Sequence, residues 1–151
     1  MGRIHLPHMT RALPLCFSLL LCASGTLHAQ PTVGLIKYSP AASEGYVLFA
    51  PIGSTHTYLI DRCGREVHSW VSPYTPGLGA QLGPDGTLYR SALIPNAAFN
   101  LAGGLGGRIE HYDWNGNLIW GYDVSNDSLC QHHDFTVLPN GNVIVIAWER
   151  H

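Results

Sequence analysis

Short apolar runs separated by turn residues fill the chain from residue 45 onwards. Asp85-Gly86 and Asn140-Gly141 lie between such runs, and both residues of each pair tolerate positive φ, so each pair predicts a hairpin. The predicted strands are residues 45–50, 57–61, 66–70, 80–82, 87–91, 108–113, 118–122 and 135–138, with an apolar run that starts at Val143. This pattern predicts an all-β fold with little helix.

The hairpins recur at a fixed distance. The hairpin at residues 57–70 carries an aspartate and a glycine in its turn at the same spacing as the hairpin at residues 108–122, 52 residues later. Residues 137–143 match residues 81–88 at an offset of 55. A period of about 50 residues with two hairpins per unit predicts the four-stranded blades of a β-propeller. A β-sandwich with similar turns is the alternative.

The number of units is small for a closed propeller. Residues 30–151 supply about two blades, whereas propellers typically have about four to eight. The chain also stops in or just after a strand, which would leave an exposed edge. We therefore expect residues 30–151 to be the N-terminal part of a truncated propeller domain.

Residues 1–29 have the features of a secretory signal peptide. Two arginines precede a compact apolar run at residues 12–23, which is too short to span a bilayer, and cleavage is expected after Ala29. A lipoprotein signal modified at Cys22 is disfavoured by the bulky Leu21 before it, and a retained anchor is a further alternative. The sequence thus predicts export to the periplasm or the extracellular space, with no membrane association after cleavage.

Charge excludes two classes of partner. Charged residues make up 12% of the chain, the net charge is −2 and the pI is near 6.5. Nucleic acids and anionic membrane surfaces both require a concentrated basic face, which this composition does not supply.

Export would allow the two cysteines that follow the signal peptide to be oxidised. Cys63 and Cys130 would enter an oxidising compartment, where they are a possible disulfide pair. Neither lies in a C-x-x-C spacing, so the two cysteines alone do not predict a zinc site.

The densest polar cluster is His132-His133-Asp134, directly before the predicted strand at residues 135–138. Neighbouring side chains of an extended strand face opposite ways, so only one histidine is expected on a given face. One imidazole could act as a nucleophile or general acid/base with Asp134 fixing its tautomer, the pair could bind a metal, or both could be structural. The residues alone leave all three interpretations open.

The segment His132-His133-Asp134-Phe135-x-x-Leu138-Pro139-Asn140-Gly141-Asn142, followed by Ala147-Trp148-Glu149, resembles the repeat of bacterial arylsulfotransferases. The upstream hairpin with Asp113, Gly116 and Trp120 fits the same family, and the resemblance covers residues 45–151. It implies an exported enzyme with a six-bladed propeller. Such an enzyme moves a sulfuryl group from an aryl sulfate donor to a phenolic acceptor without a nucleotide, a metal or an organic cofactor.

The resemblance also implies a division of roles. The family's sulfate-carrying histidine would lie in a later blade, beyond residue 151. His132 and His133 match an earlier channel histidine, so they would support catalysis or contact substrate, with Asp134 orienting them. We therefore expect the 151-residue chain alone to be inactive. The rivals are a non-catalytic propeller that binds a partner or glycan, and a quinoprotein-type dehydrogenase, for which the sequence has no acidic cluster.

Overall fold

The computed structural model describes residues 35–151, and within that range it contains nine strands and one 3-10 helix, Ala97–Phe99. The strands are β1 Tyr46–Phe49, β2 His56–Asp61, β3 Glu66–Val71, β4 Pro76–Leu82, β5 Leu88–Leu93, β6 Gly107–Tyr112, β7 Leu118–Asp123, β8 Leu129–Val137 and β9 Val143–Glu149. The predicted signal peptide, residues 1–29, and the first residues of the predicted domain lie outside the described range.

The all-β prediction is confirmed. The strands form three antiparallel sheets, in the order β1-β2-β3, β4-β5-β6-β7 and β8-β9, so that each strand pairs with a neighbour in sequence. Such pairing needs only short hairpin connections, which agrees with the many turn residues in the chain. Between residues 35 and 151 there is no helix long and apolar enough to cross a membrane.

The internal repeat is visible in the pairing register of the outer hairpins. The pairs in β2–β3 are His56↔Val71, Thr57↔Trp70, Tyr58↔Ser69, Leu59↔His68 and Ile60↔Glu66. The pairs in β6–β7 are Arg108↔Asp123, Ile109↔Tyr122, Glu110↔Gly121, His111↔Trp120 and Tyr112↔Leu118. Every pair recurs at the offset that joins Asp61 to Asp113, and both hairpins shift register at the same point. The predicted equivalence of these two hairpins is therefore confirmed.

The two turns are equivalent as well. The Asp61 amide donates to the Arg65 carbonyl at 2.9 Å, and the Asp61 carboxylate accepts from the Arg65 amide at 3.0 Å. Asp113 makes the same two bonds with Asn117, at 2.9 and 2.8 Å. The glycines three residues after each aspartate have φ of 75° and 82°, a backbone region that glycine enters without a steric penalty. The turn geometry therefore explains the Asp-x-x-Gly spacing.

The first and second sheets pack against each other through an apolar core. Leu59 and Trp70 of the first sheet contact Leu88 and Tyr112 of the second, and all four are nearly fully buried. The Trp70 indole N–H donates to the Asp113 carbonyl at 2.9 Å, so its one polar atom is satisfied. Burial of each such side chain contributes about 1.5–3 kcal/mol. This contact fixes how the second sheet lies on the first.

A buried ion pair joins β5 to β6. Arg90 and Glu110 are directly opposite in the ladder, are 1% and 0% exposed, and bring Nη1 and Oε2 to 3.8 Å. Glu110 also accepts from Ser72 Oγ at 2.8 Å, and Arg90 donates to the Tyr74 carbonyl at 3.2 Å. Burial lowers the pKa of Arg90, and the Glu110 carboxylate opposes that effect. Arg90 is thus a buried cation whose charge is balanced by Glu110.

Candidate functional site

A β-bulge carries the histidine pair. Strand β8 begins at Leu129, so His132-His133-Asp134 lies inside the strand and not, as predicted, before it. The ladder pairs Gln131 with Ala147 and next Phe135 with Val145, so residues 132–134 stand opposite Ile146 alone. His133 has φ of 48°, in the left-handed region that non-glycine residues seldom occupy. Bulges and such backbone outliers are enriched at functional sites.

The bulge brings the two imidazoles together. Their ring centroids are 4.2 Å apart with the planes at 65°, and the His132 ring lies 4.9 Å from the ring of Trp148. The expectation of one histidine on each face holds for an extended strand, and the bulge interrupts the alternation of side chains on which it depends. Both rings are half-buried, so each keeps contact with solvent.

A glycine-rich loop holds this bulge from the side. The His133 amide donates to the Gly104 carbonyl at 2.9 Å, and the Trp148 indole N–H donates to the Gly103 carbonyl at 3.2 Å. A Cβ at Gly104 would collide with the imidazole ring of His133, and Gly104 has φ of 69°. Only glycine fits at this position. The loop between β5 and β6 therefore contributes directly to the site.

Asp134 stabilises the backbone of the bulge, because its exposed carboxylate accepts from the Phe135 amide at 2.8 Å. Its predicted role in orienting an imidazole stays a prediction. Sequence reasoning missed Ser91 of β5, which is fully buried and donates through Oγ to the His133 carbonyl at 3.1 Å. No local motif marks this serine, because it reaches the bulge across two sheets.

The second sheet contains the same bulge. Leu78 of β4 has φ of 79°, and the ladder skips from Pro76↔Ala92 to Ala80↔Arg90, which leaves residues 77–79 opposite Ser91. The pairs Gln131↔Ala147 and Phe135↔Val145 match these at the offset that joins Leu78 to His133. The bulge is therefore part of the repeat. What the third sheet adds is the pair of imidazoles at a position where the second sheet has Gly77-Leu78-Gly79.

The cysteines do not form the predicted bridge. Cys63 and Cys130 are both free thiols. Cys63 is exposed in the β2–β3 turn of the first sheet, whereas Cys130 is fully buried in β8 with its Sγ 3.9 Å from Ser125 Oγ. In the described part of the chain, no group of three or more His, Cys, Asp or Glu side chains is placed to hold a metal ion.

A further imidazole, buried in contrast to the histidine pair, lies in the second sheet. The His111 ring stacks on Tyr89 with centroids 3.8 Å apart, and it is 9% exposed. Within residues 35–151 neither of its ring nitrogens has a hydrogen-bond partner. Burial lowers the pKa of His111, and the charge of Asp85 partly offsets this. His111 occupies the position that Leu59 fills in the first sheet, so it is a strand-face residue at an apolar site.

The geometry of the bulge limits its chemistry. Two adjacent, partly exposed imidazoles can donate hydrogen bonds to an anion, and Trp148 supplies an aromatic surface beside His132. Comparisons with known proteins add no relative: no family model, no curated protein and no solved structure matches the chain.

Proposed function

We propose that this chain forms blades of an exported β-propeller of the arylsulfotransferase type, in which His132 and His133 contact an aryl sulfate at the channel mouth. The observation that supports the proposal best is the imidazole pair on the bulge of β8, with ring centroids 4.2 Å apart. The residue-by-residue repeat of the pairing register supports the propeller part, because stacked equivalent sheets are how blades cover each other.

The chemistry assigns different tasks to different histidines. A carrier imidazole attacks sulfur, the S–O bond to the aryl oxygen breaks, and a phenolate leaves with the electron pair. The N-sulfo group then passes to a phenol, whose proton is released. His132 and His133 would donate hydrogen bonds to the sulfate oxygens and stabilise the charge in both steps. The carrier would lie outside these 151 residues.

Imidazole NMR tests the binding part of this proposal. The full 151-residue chain is titrated with 4-nitrophenyl sulfate while the side-chain nitrogen signals of its nine histidines are followed. We expect the His132 and His133 signals to shift, and His132→Asn or His133→Asn to weaken binding about tenfold or more. His56→Asn, in β2 of the first sheet, is the matched control and should bind as the wild type does.

Two results would count against the proposal. Binding that survives both substitutions would make the pair a structural element of the bulge. Shifts of the same size at His56 would show that the ligand binds without a defined site.

Catalysis is tested separately. The chain alone should not release 4-nitrophenolate from 4-nitrophenyl sulfate in the presence of phenol, because His132 and His133 are assigned to binding and not to carrying the sulfuryl group. Turnover above the buffer rate would contradict that assignment, and its loss in His132→Asn or His133→Asn would identify the carrier.

A further inference from the structure

Two equivalent aromatic residues differ sharply in exposure. Trp70 of β3 and Tyr122 of β7 occupy the same position in the two equivalent hairpins, each opposite the matching residue of the preceding strand. Trp70 is 1% exposed, whereas Tyr122 is 68% exposed. Since the two hairpins share register and turn geometry, the difference in exposure comes from the residues that cover Trp70 and do not cover Tyr122.

The cover over Trp70 comes from the next sheet along the chain. Leu88 and Tyr112 pack on its ring, and the Asp113 carbonyl accepts its N–H. Trp114, in the β6–β7 turn, lies edge-on to it with centroids 5.6 Å apart. The cover therefore includes the end of β6 and the turn that follows it.

The third sheet consists of β8 and β9, and in the described part of the chain it has no strands that correspond to β6 and β7. Strands β8 and β9 reproduce the register of β4 and β5, and in the second sheet the outer edge of β5 is occupied by β6. The Arg150 amide donates to the Ser128 carbonyl, and amides alternate along a strand, so the amides of residues 143, 145, 147 and 149 point away from β8. Strand β9 thus offers an open edge.

The space between Tyr122 and that edge is large enough and apolar enough to hold the side chains of a further strand. A cleft of about 610 Å³ is bordered by Ile109, Trp120 and Tyr122 on one side and by Val143 and Val145 on the other. Its walls are mostly apolar and aromatic, and the open amides of β9 lie along one side. An added strand would satisfy those amides while its side chains entered the cleft.

We propose that the edge of β9 binds a β-hairpin built like β6–β7. The first strand of this hairpin pairs antiparallel with β9, and an aromatic or large apolar residue in the place of Tyr112 covers Tyr122. The argument rests on the repeat of pairing register and on the burial of Trp70, and it is independent of sulfuryl transfer. The partner is recognised by strand addition plus one aromatic contact.

Hydrogen exchange tests the proposal directly. A synthetic peptide with the sequence of residues 107–123 is added to the full chain, and exchange of the β9 amides is followed. We expect the amides of Val143, Val145 and Ala147 to exchange about tenfold more slowly or better, with no change in β1. The same peptide with Ser in place of Tyr112 and Trp114 should give no protection.

Three substitutions in the chain separate edge pairing from nonspecific binding. Val145→Pro removes an amide that points to the open edge but leaves the bonds of β9 to β8, so it should abolish protection. Ile146→Thr keeps every amide and changes only an exposed side chain on the other face, so it should alter binding by no more than about threefold. Tyr122→Ser should weaken binding without affecting the fold, because Tyr122 is exposed.

A fusion removes the need for the peptide to fold alone. Residues 97–123 are appended after His151, so that the hairpin follows β9 through a connection as long as the one that joins β5 to β6. Protection of the outward β9 amides in this chain supports the proposal. Lack of protection in both peptide and fusion overturns it. Protection that rises with protein concentration in the unmodified chain also overturns it, because a second copy would then be the occupant.

Discussion

The ion pair of Arg90 and Glu110 yields a quantitative test of what stabilises the interior of the second sheet. The perturbation is Glu110→Gln, which keeps the shape of the side chain and removes its charge. Glu110 is fully buried, accepts from Ser72 Oγ at 2.8 Å and lies 3.8 Å from Arg90. The substitution therefore removes the charge at this position and hardly changes the packing around it.

The expected loss is large because Arg90 cannot reach solvent. Arg90 is 1% exposed, and within residues 35–151 its Nε and Nη1 already have no hydrogen-bond partner. Removing one member of a buried pair costs about 3–5 kcal/mol, whereas the whole free energy of unfolding of a domain is about 5–15 kcal/mol. We expect Glu110→Gln to lose about 3 kcal/mol, since the glutamine can still accept from Ser72.

Urea denaturation followed by tryptophan fluorescence measures this loss. With a slope of about 1–3 kcal/mol per molar urea, the midpoint should fall by about 1–3 M. The matched control is the double variant Arg90→Met with Glu110→Gln, which removes both charges of the pair while the glutamine can still accept from Ser72 and Arg108, and it should recover most of the lost stability. The reasoning is refuted if the single variant unfolds within about 0.5 kcal/mol of wild type, or if the double variant is no more stable than the single.

Three further substitutions test other features of the fold. His111→Leu places the residue of the equivalent position, Leu59, where two ring nitrogens are buried without partners, and should raise the unfolding free energy by about 1 kcal/mol. Because burial depresses the pKa of His111, wild-type stability should be complete above about pH 6.5 and fall as the pH drops below it, and denaturation midpoints of His111→Leu should lack that fall. Leu78→Gly relieves a left-handed backbone and should leave stability equal or raise it by up to about 1 kcal/mol, with sulfate-ester binding unchanged. Gly104→Ala forces the loop away from His133 and should weaken that binding in the same NMR titration, and unchanged binding would show that the loop is incidental.

Local chemistry made the hairpins predictable. The turn at Asp61 needs a side-chain acceptor at its first position and a glycine three residues later. Both requirements lie within four residues of sequence, so the spacing alone locates this turn and its equivalent at Asp113. The same holds for Asn140-Gly141, where Gly141 has φ of 83°. Such features depend on neighbours within about five residues.

The site was less predictable because it depends on pairing between strands. Whether His132 and His133 alternate or meet is decided by the register of β8 against β9, which no residue in the pair encodes. A signal did exist: at the offset of the repeat, the histidines align with Gly77 and Leu78, and glycines inside a strand often mark a bulge. The burial of Arg90 gave no such signal, because its partner Glu110 lies in the next strand, beyond a long loop.

The same left-handed bulge occurs in the second and third sheets with different side chains. Its backbone geometry therefore does not depend on the histidine. Leu78 and His133 adopt the same backbone region, although one is aliphatic and the other ionisable. A single codon at this position can therefore exchange a hydrophobic contact for a proton donor while the ladders on both sides keep their partners. The second and third sheets each carry such a position, so a ligand preference can change there without a change in strand pairing.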